Sequence, residues 1–239
     1  MPEPARRVVS LVPSLTEAIA VSRPGVLAGA TDYCTHPADL DVARVGGSKY
    51  PSIERILALR PDLVVANVEE NREEDVDALT AAGVPVWVTY PRDLDGAFAS
   101  LSRLLAALDA GRPEWLARAE AEWAQPAPHR AVRAVIPVWR KPWVVLGGGT
   151  FAGDLLRRLG FANVYDEHAE RYPRPALSDI LDLAPELVIL PDEPYAFSST
   201  DGPEAFAPVP CALVSGRHLT WYGPSLAEAR SVLIGQLTR

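Results

Sequence analysis

Hydrophobic and polar positions repeat themselves along this chain. The run Ile56-Leu57-Ala58-Leu59-Arg60-Pro61-Asp62-Leu63-Val64-Val65-Ala66 is echoed by Ile180-Leu181-Asp182-Leu183-Ala184-Pro185-Glu186-Leu187-Val188-Ile189-Leu190. Each copy reads as the end of an amphipathic helix, a proline that stops it, an acidic residue and a buried strand. Each strand then enters an acidic loop, residues 67–71 in one copy and Asp192-Glu193-Pro194-Tyr195 in the other. Val84-Pro85-Val86 parallels Val209-Pro210-Cys211. Val8 to Val12 before Ser14-Leu15-Thr16-Glu17 parallels Val144-Val145-Leu146 before Thr150-Phe151-Ala152-Gly153-Asp154, both read as strand, tight turn and N-capped helix. Several matches in one order predict two related α/β lobes, each built around a mostly parallel sheet.

Between the copies, Leu94, Phe98, Leu101, Leu104, Leu105 and Leu108, then Trp115, Leu116, Ala119 and Trp123, recur at helical spacing. Gly111-Arg112-Pro113 interrupts the pattern, predicting one kinked helix or two in series. The division expected is an N-terminal lobe over 1–92, a connecting backbone helix over 93–125 and a C-terminal lobe over 126–239.

Composition narrows the functional classes. With 23 basic and 31 acidic residues the formal charge is −8, which argues against nucleic acid and anionic membranes as partners. No apolar run is long enough to span a bilayer. Two cysteines, Cys34 and Cys211, cannot build a disulfide framework. The opening residues lack a signal-peptide pattern, so the address expected of the chain as given is cytoplasmic, with a periplasmic or extracellular protein shorn of its signal as the alternative. A monomer is expected.

In open α/β sheets, ligands sit beyond the carboxyl ends of the strands. The loops predicted there hold three of the six Trp and five of the seven Tyr, with clustered Arg, Lys and carboxylates. Flat side chains with a few charges suit a planar or metal-chelate ligand held between the lobes. Gly147-Gly148-Gly149-Thr150 offers backbone N–H groups or, as the plainer reading, a tight turn. Cys34 and His36 beside Asp32 lack the second ligand pair of a zinc site, and a structural role is expected for them. His129 and His168 read as surface residues, and His218 as a candidate ligand contact. Glu69 and Glu70 stand at a strand end, while Glu73 and Glu74 read as an outward helix start. Hydrolase signatures such as Gly-x-Ser-x-Gly and His-Glu-x-x-His are absent from the sequence.

Residues 7–17 (Arg7-Val8-Val9-Ser10-Leu11-Val12-Pro13-Ser14-Leu15-Thr16-Glu17), Thr31-Asp32-Tyr33-Cys34, Gly46-Gly47 and Ile53 to Val64 resemble the Fe/B12 periplasmic-binding-protein domain, most closely its vitamin B12-binding branch. The resemblance covers nearly the whole chain. It implies a class III substrate-binding-protein fold, two Rossmann-like α/β lobes joined by a long backbone helix, and a non-catalytic receptor for cobalamin or another corrinoid, haem or a ferric siderophore. It implies further that Trp221 flanks the ligand, that Asn67 stands where the branch has an aromatic residue, and that Glu73 matches a Glu that docks on an ABC permease. The matching docking position of the second lobe falls near Gly223, so the chain reads as a soluble relative that need not feed a transporter.

The ligand residues expected are Tyr33, Tyr50, Trp139, Trp143, Phe151, Tyr195, Trp221 and Tyr222 for stacking and apolar surface. Lys49, Arg140 and Arg217 are expected to pair with ligand carboxylates or phosphate, and Glu69 and Glu70 to accept bonds from amides. No catalytic residue, metal site or covalent cofactor is assigned. An enzyme or a protein-interaction module on the same scaffold is the alternative.

Overall fold

The computed structural model describes residues 3–126 and 131–238. Its first sheet is built from β1 (Val8–Ser10), β2 (Leu27–Ala30), β3 (Ala43–Arg44), β4 (Leu63–Asn67) and β5 (Val86–Thr89), interleaved with helices α1 (Pro13–Ser22), α2 (Ile53–Ala58) and α3 (Glu73–Ala81). All its strand pairs are parallel, in the order β3-β2-β1-β4-β5. Helices cover both faces of such a sheet, so β1 and β4 are buried along their whole length, as unbroken apolar runs require. Two further helices follow, α4 (Leu94–Ala107) and α5 (Glu114–Trp123). The expected connector is therefore two helices in series, broken where Asp109 and Gly111 adopt positive φ and Pro113 precedes α5.

The second sheet contains β6 (Val132–Val135), β9 (Phe161–Asn163), β10 (Leu187–Pro191) and β11 (Cys211–Val214), all parallel, in the order β11-β10-β6-β9. Between β6 and β9 come an antiparallel hairpin of β7 (Pro137–Trp139) and β8 (Val144–Val145) and the helix α6 (Phe151–Arg158). Helices α7 (Leu177–Asp182), α8 (Gly216–Thr220) and α9 (Leu226–Leu237) complete it.

The repeat is thus a repeat of topology: β2-β1-β4-β5 corresponds to β9-β6-β10-β11. One match needs correction. By sheet position the partner of β1 is β6, not the Val144–Val145 strand, because the β7–β8 hairpin is inserted between the central strand and its helix. Ile56 and Ile180, and Val64 and Val188, are equivalent and fully buried in the cores of their units. The proline-acidic pair has the same task twice. Arg60 and Ala184, immediately before the prolines, take positive φ of 48° and 46°. The acidic residue then grips the start of the central strand: Asp62 accepts from the backbone N–H of Arg6 at 2.8 Å and Arg7 at 3.0 Å, and Glu186 from that of Arg133 at 3.0 Å.

The helix starts differ. Thr150 caps α6, its hydroxyl oxygen accepting from Gly153 N at 3.2 Å. The expected cap on α1 is not there: the helix opens on Pro13, whose missing N–H costs nothing at that position, and Val12 provides no side-chain cap.

Two units emerge. One takes the chain up to Tyr90 with Ala97–Ala117 and Tyr222–Pro224; the other takes Pro91–Gly96, Arg118–Trp221 and the chain from Ser225. The residues of α4 and α5 are shared between these units, and a short C-terminal stretch belongs to the first. Tyr222 anchors that stretch. Its hydroxyl accepts from Asn67 Nδ2 at 2.7 Å and lies 3.0 Å from Thr89 Oγ1, at the ends of β4 and β5. Its ring is only 5% exposed, and burial pushes its phenol far above the ordinary range. Gly223 follows because a Cβ there would stand 2.7 Å from Ser14 O.

Two outcomes follow for stability. Tyr222→Phe removes the shorter of two bonds from the buried Asn67 amide, leaving Thr89 Oγ1 at 3.4 Å, and should lower unfolding free energy by about 1 kcal/mol. Gly148→Ala should cost about 1–3 kcal/mol through overpacking, since its Cβ would sit 1.9 Å from Asp166 O. Urea unfolding measures each; wild-type midpoints would contradict them.

Candidate ligand-binding surfaces

The carboxyl edge of the first sheet is organised by Asn67, the last residue of β4. Its Oδ1 accepts from Glu69 N at 2.7 Å, and its own N–H donates to Asn71 Oδ1 at 2.8 Å. Asn71 Nδ2 donates to Ser48 O at 3.0 Å and Leu11 O at 3.3 Å, tying the loop after β4 to those after β3 and β1. This brings Lys49, Tyr50, Glu69 and Glu70 together. Lys49 Nζ donates to Glu69 O at 2.6 Å. Tyr50 is 75% exposed and lies under the Arg72 guanidinium, 4.5 Å from its ring centroid. Arg72 in turn pairs with Asp75 and Glu74. Tyr33, on the loop after β2, is 65% exposed and packs beside Gly47. Asn67 itself is buried. The position expected to have lost a ligand wall is a structural hub.

Cys34 points inward rather than toward His36. It is fully buried, its sulfur accepts from Thr16 Oγ1 at 3.0 Å, and burial pushes its thiol up. His36 Nδ1 meets Thr35 Oγ1 at 3.1 Å. Among the described residues no group of three or more His, Cys, Asp or Glu is placed to hold a metal ion.

In the second unit the β7–β8 hairpin and the loop after β10 form an aromatic surface. Trp139 is 44% exposed and meets Tyr195 edge-on, centroids 5.6 Å apart. Behind them Trp143 lies parallel to Phe197 and 4.9 Å from Phe206. Arg140 pairs with Asp201, and with Glu204 at 2.6 Å, and its guanidinium lies 5.4 Å from the Trp143 centroid. Tyr195 donates its hydroxyl proton to Asp201 at 2.7 Å. The Tyr195 hydroxyl and Arg140 together hold the Asp201 carboxyl below its ordinary range. Beyond β11, Arg217 lies 5.7 Å from the Trp221 centroid and 3.6 Å from Glu228. His218 lies between Ser215 Oγ at 2.8 Å and Glu228 Oε1 at 3.3 Å.

Several site assignments change. Phe151 is the buried first residue of α6, and Tyr222 is enclosed in the first unit, so neither offers a surface. Trp143 is partly buried against the second core and serves as a floor. Arg140 and Arg217 already face carboxylates of the protein, while Lys49 donates to the backbone carbonyl of Glu69. Sequence reading missed Asp201 and Glu204; the only trace was a Ser-Ser-Thr-Asp-Gly turn with no distinguishing pattern. His168 Nδ1 accepts from Glu170 N at 3.0 Å, within its own loop. His129 lies outside the described residues.

The glycine triplet is a close-packed turn. A Cβ at Gly147 would stand 2.3 Å from Glu170 O, and Gly149 has φ of +63°. Nearby, a polar cavity of about 360 Å³ is lined by Arg92, Thr150, Asp154, Arg157 and Asp166 among others, with no aromatic side chain. Within it Arg157 pairs with Asp154.

No family model matches the chain. It is 25% identical over 203 residues to the vitamin B12-binding protein of Vibrio cholerae, covering 82% of this chain and 74% of that protein. The solved periplasmic vitamin B12-binding protein BtuF of Vibrio cholerae superposes with a TM-score of 0.77 at 21% identity, over 99% of this chain and 98% of that one. The periplasmic haem-binding protein BhuT, solved with two haems, superposes with a TM-score of 0.80 at 24% identity, over 97% of each chain. These neighbours are periplasmic proteins, which leaves the expected cytoplasmic address without support. No helix among the described residues is long and apolar enough to cross a membrane. In sequence the chain is similar to the vitamin B12-binding protein, and it shares the α/β fold of the periplasmic vitamin B12- and haem-binding proteins.

Proposed function

We propose that the chain is a non-catalytic receptor for a metal-chelate macrocycle, and that its ligand is a corrinoid rather than haem. The observation that carries the reading is the aromatic surface at the carboxyl edge of the second sheet, where Trp139 is exposed, Tyr195 half-buried and Trp221 flanks the same edge. A flat, largely apolar ligand face is what such side chains recognise. The named relative binds vitamin B12, and the fold neighbours include B12 and haem binders.

Charge favours the corrinoid. Haem carries two propionates, and a site for it gains from cations with no other partner. Here Arg140 is held by two carboxylates, and Arg217 faces Glu228. On the first unit, Glu69 and Glu70 are half-buried at the sheet edge beside exposed Tyr33 and Tyr50. A surface rich in acceptors suits a ligand fringed with carboxamide N–H groups, as a corrin is. An address outside the cytoplasmic membrane, as for the neighbours, fits this role. Glu73, exposed at the first turn of α3, is the residue offered to an importer.

Trp221→Ala should weaken corrinoid binding at least tenfold, about 1.4 kcal/mol, in a titration followed by the remaining tryptophan fluorescence. An unchanged dissociation constant in a folded variant removes this loop from the site.

A further inference from the structure

Trp221 has one polar group, an indole N–H that can only donate. It is hydrogen-bonded to the side chain of Glu193, two residues past the end of β10. Arg217 lies over the indole ring, 5.7 Å from its centroid. The ring is thus held at its edge by a carboxylate and on its face by a guanidinium.

Glu193 is itself tightly seated. The backbone of Gly216 approaches so closely that a Cβ at that position would stand 2.2 Å from Glu193 Cγ. Gly216 N donates to Asp192 Oδ1 at 2.7 Å, which locks the two loops together. Glu193 Oε1 is enclosed with no hydrogen-bond partner among the described residues. The groups around it are Asp192 on its own loop and Arg217 and Thr220 on α8. Behind them Glu228 of α9 faces Arg217 at 3.6 Å and His218 at 3.3 Å.

An enclosed carboxylate with one orphaned oxygen is a poor host for negative charge. Burial pushes Glu193 above the ordinary carboxylate range and Asp192 adds to this, while Trp221, Arg217 and Thr220 oppose it.

We infer that Glu193 is a positioning residue for Trp221: as a carboxylate it fixes the indole through its N–H, and on taking up a proton it relaxes that hold. A charged acceptor bonds an N–H about twice as strongly as a neutral one, so the ring is best ordered with Glu193 ionised. The consequence rests on the reading of Trp221 as a ligand-stacking residue. Affinity is then full above the pH at which Glu193 titrates and falls as pH drops through it. The receptor would hold its ligand less tightly at acid pH.

Wild type, Glu193→Gln, Trp221→Phe and the double variant test this. In the ligand-free protein, the emission difference between wild type and Trp221→Phe isolates Trp221. That signal should change between neutral and acid pH, and the same difference taken between Glu193→Gln and the double variant should be flat, with far-ultraviolet circular dichroism confirming the fold. With dicyanocobinamide as probe, wild type should lose roughly threefold or more in affinity on acidification. Glu193→Gln should be weaker by a similar factor at neutral pH and insensitive to acid, and should add nothing in the Trp221→Phe background. A Glu193→Gln variant that matches wild type in emission and affinity at every pH overturns the inference. So does a wild-type Trp221 signal that ignores pH. If the ligand-free signals behave as stated and dicyanocobinamide binds no variant, the hold on Trp221 stands and the corrinoid reading fails.

Discussion

One carboxamide holds the carboxyl edge of the first sheet in place. A buried parallel sheet ends in a row of backbone groups that must find partners as the chain turns away. At the end of β4 Asn67 meets that demand with its side chain and its backbone N–H. It turns the acidic loop through Glu69, receives Asn71, and donates to the Tyr222 hydroxyl. An aromatic residue here would lack the two side-chain bonds, from Glu69 N and to the Tyr222 hydroxyl. The loops presenting Lys49, Tyr50, Glu69 and Glu70 hang from this arrangement, and so does the short C-terminal stretch that joins the first unit.

Much of the architecture was legible because it is written twice. Proline after a helix and an acidic residue before a strand are local signals, and here each has a mechanical cause: a positive-φ residue ends the helix, and the carboxylate grips the central strand. What was not legible is what depends on distant packing. The β7–β8 hairpin displaced the strand match by two strands, because Val144-Val145 has the apolar look of a core strand whatever it pairs with. The split of α4 and α5 between units follows from which core each turn joins, which periodicity does not encode.

The placement of the candidate residues was legible in kind and misleading in detail. Residue type placed Tyr33, Tyr50, Trp139 and Tyr195 correctly at strand ends, where they remain exposed or half-buried. Phe151 and Tyr222 lie in the same segments yet are buried, since a loop residue adjoining a helix start or a sheet end packs inward as readily as outward. Arginines were harder still. Arg140 reads as a ligand-pairing cation until Asp201 and Glu204, more than sixty residues away, are seen to neutralise it. Under the proposed function, that neutralisation favours amide-fringed over carboxylate-fringed ligands, where residue type alone allowed both.

Equilibrium dialysis of the purified protein against dicyanocobinamide and hemin, side by side at neutral pH, tests that preference most directly. The account predicts saturable binding of about one corrinoid per chain at micromolar concentration or below, with hemin at least roughly tenfold weaker. Hemin bound more tightly than the corrinoid, or saturable binding of neither, would contradict it.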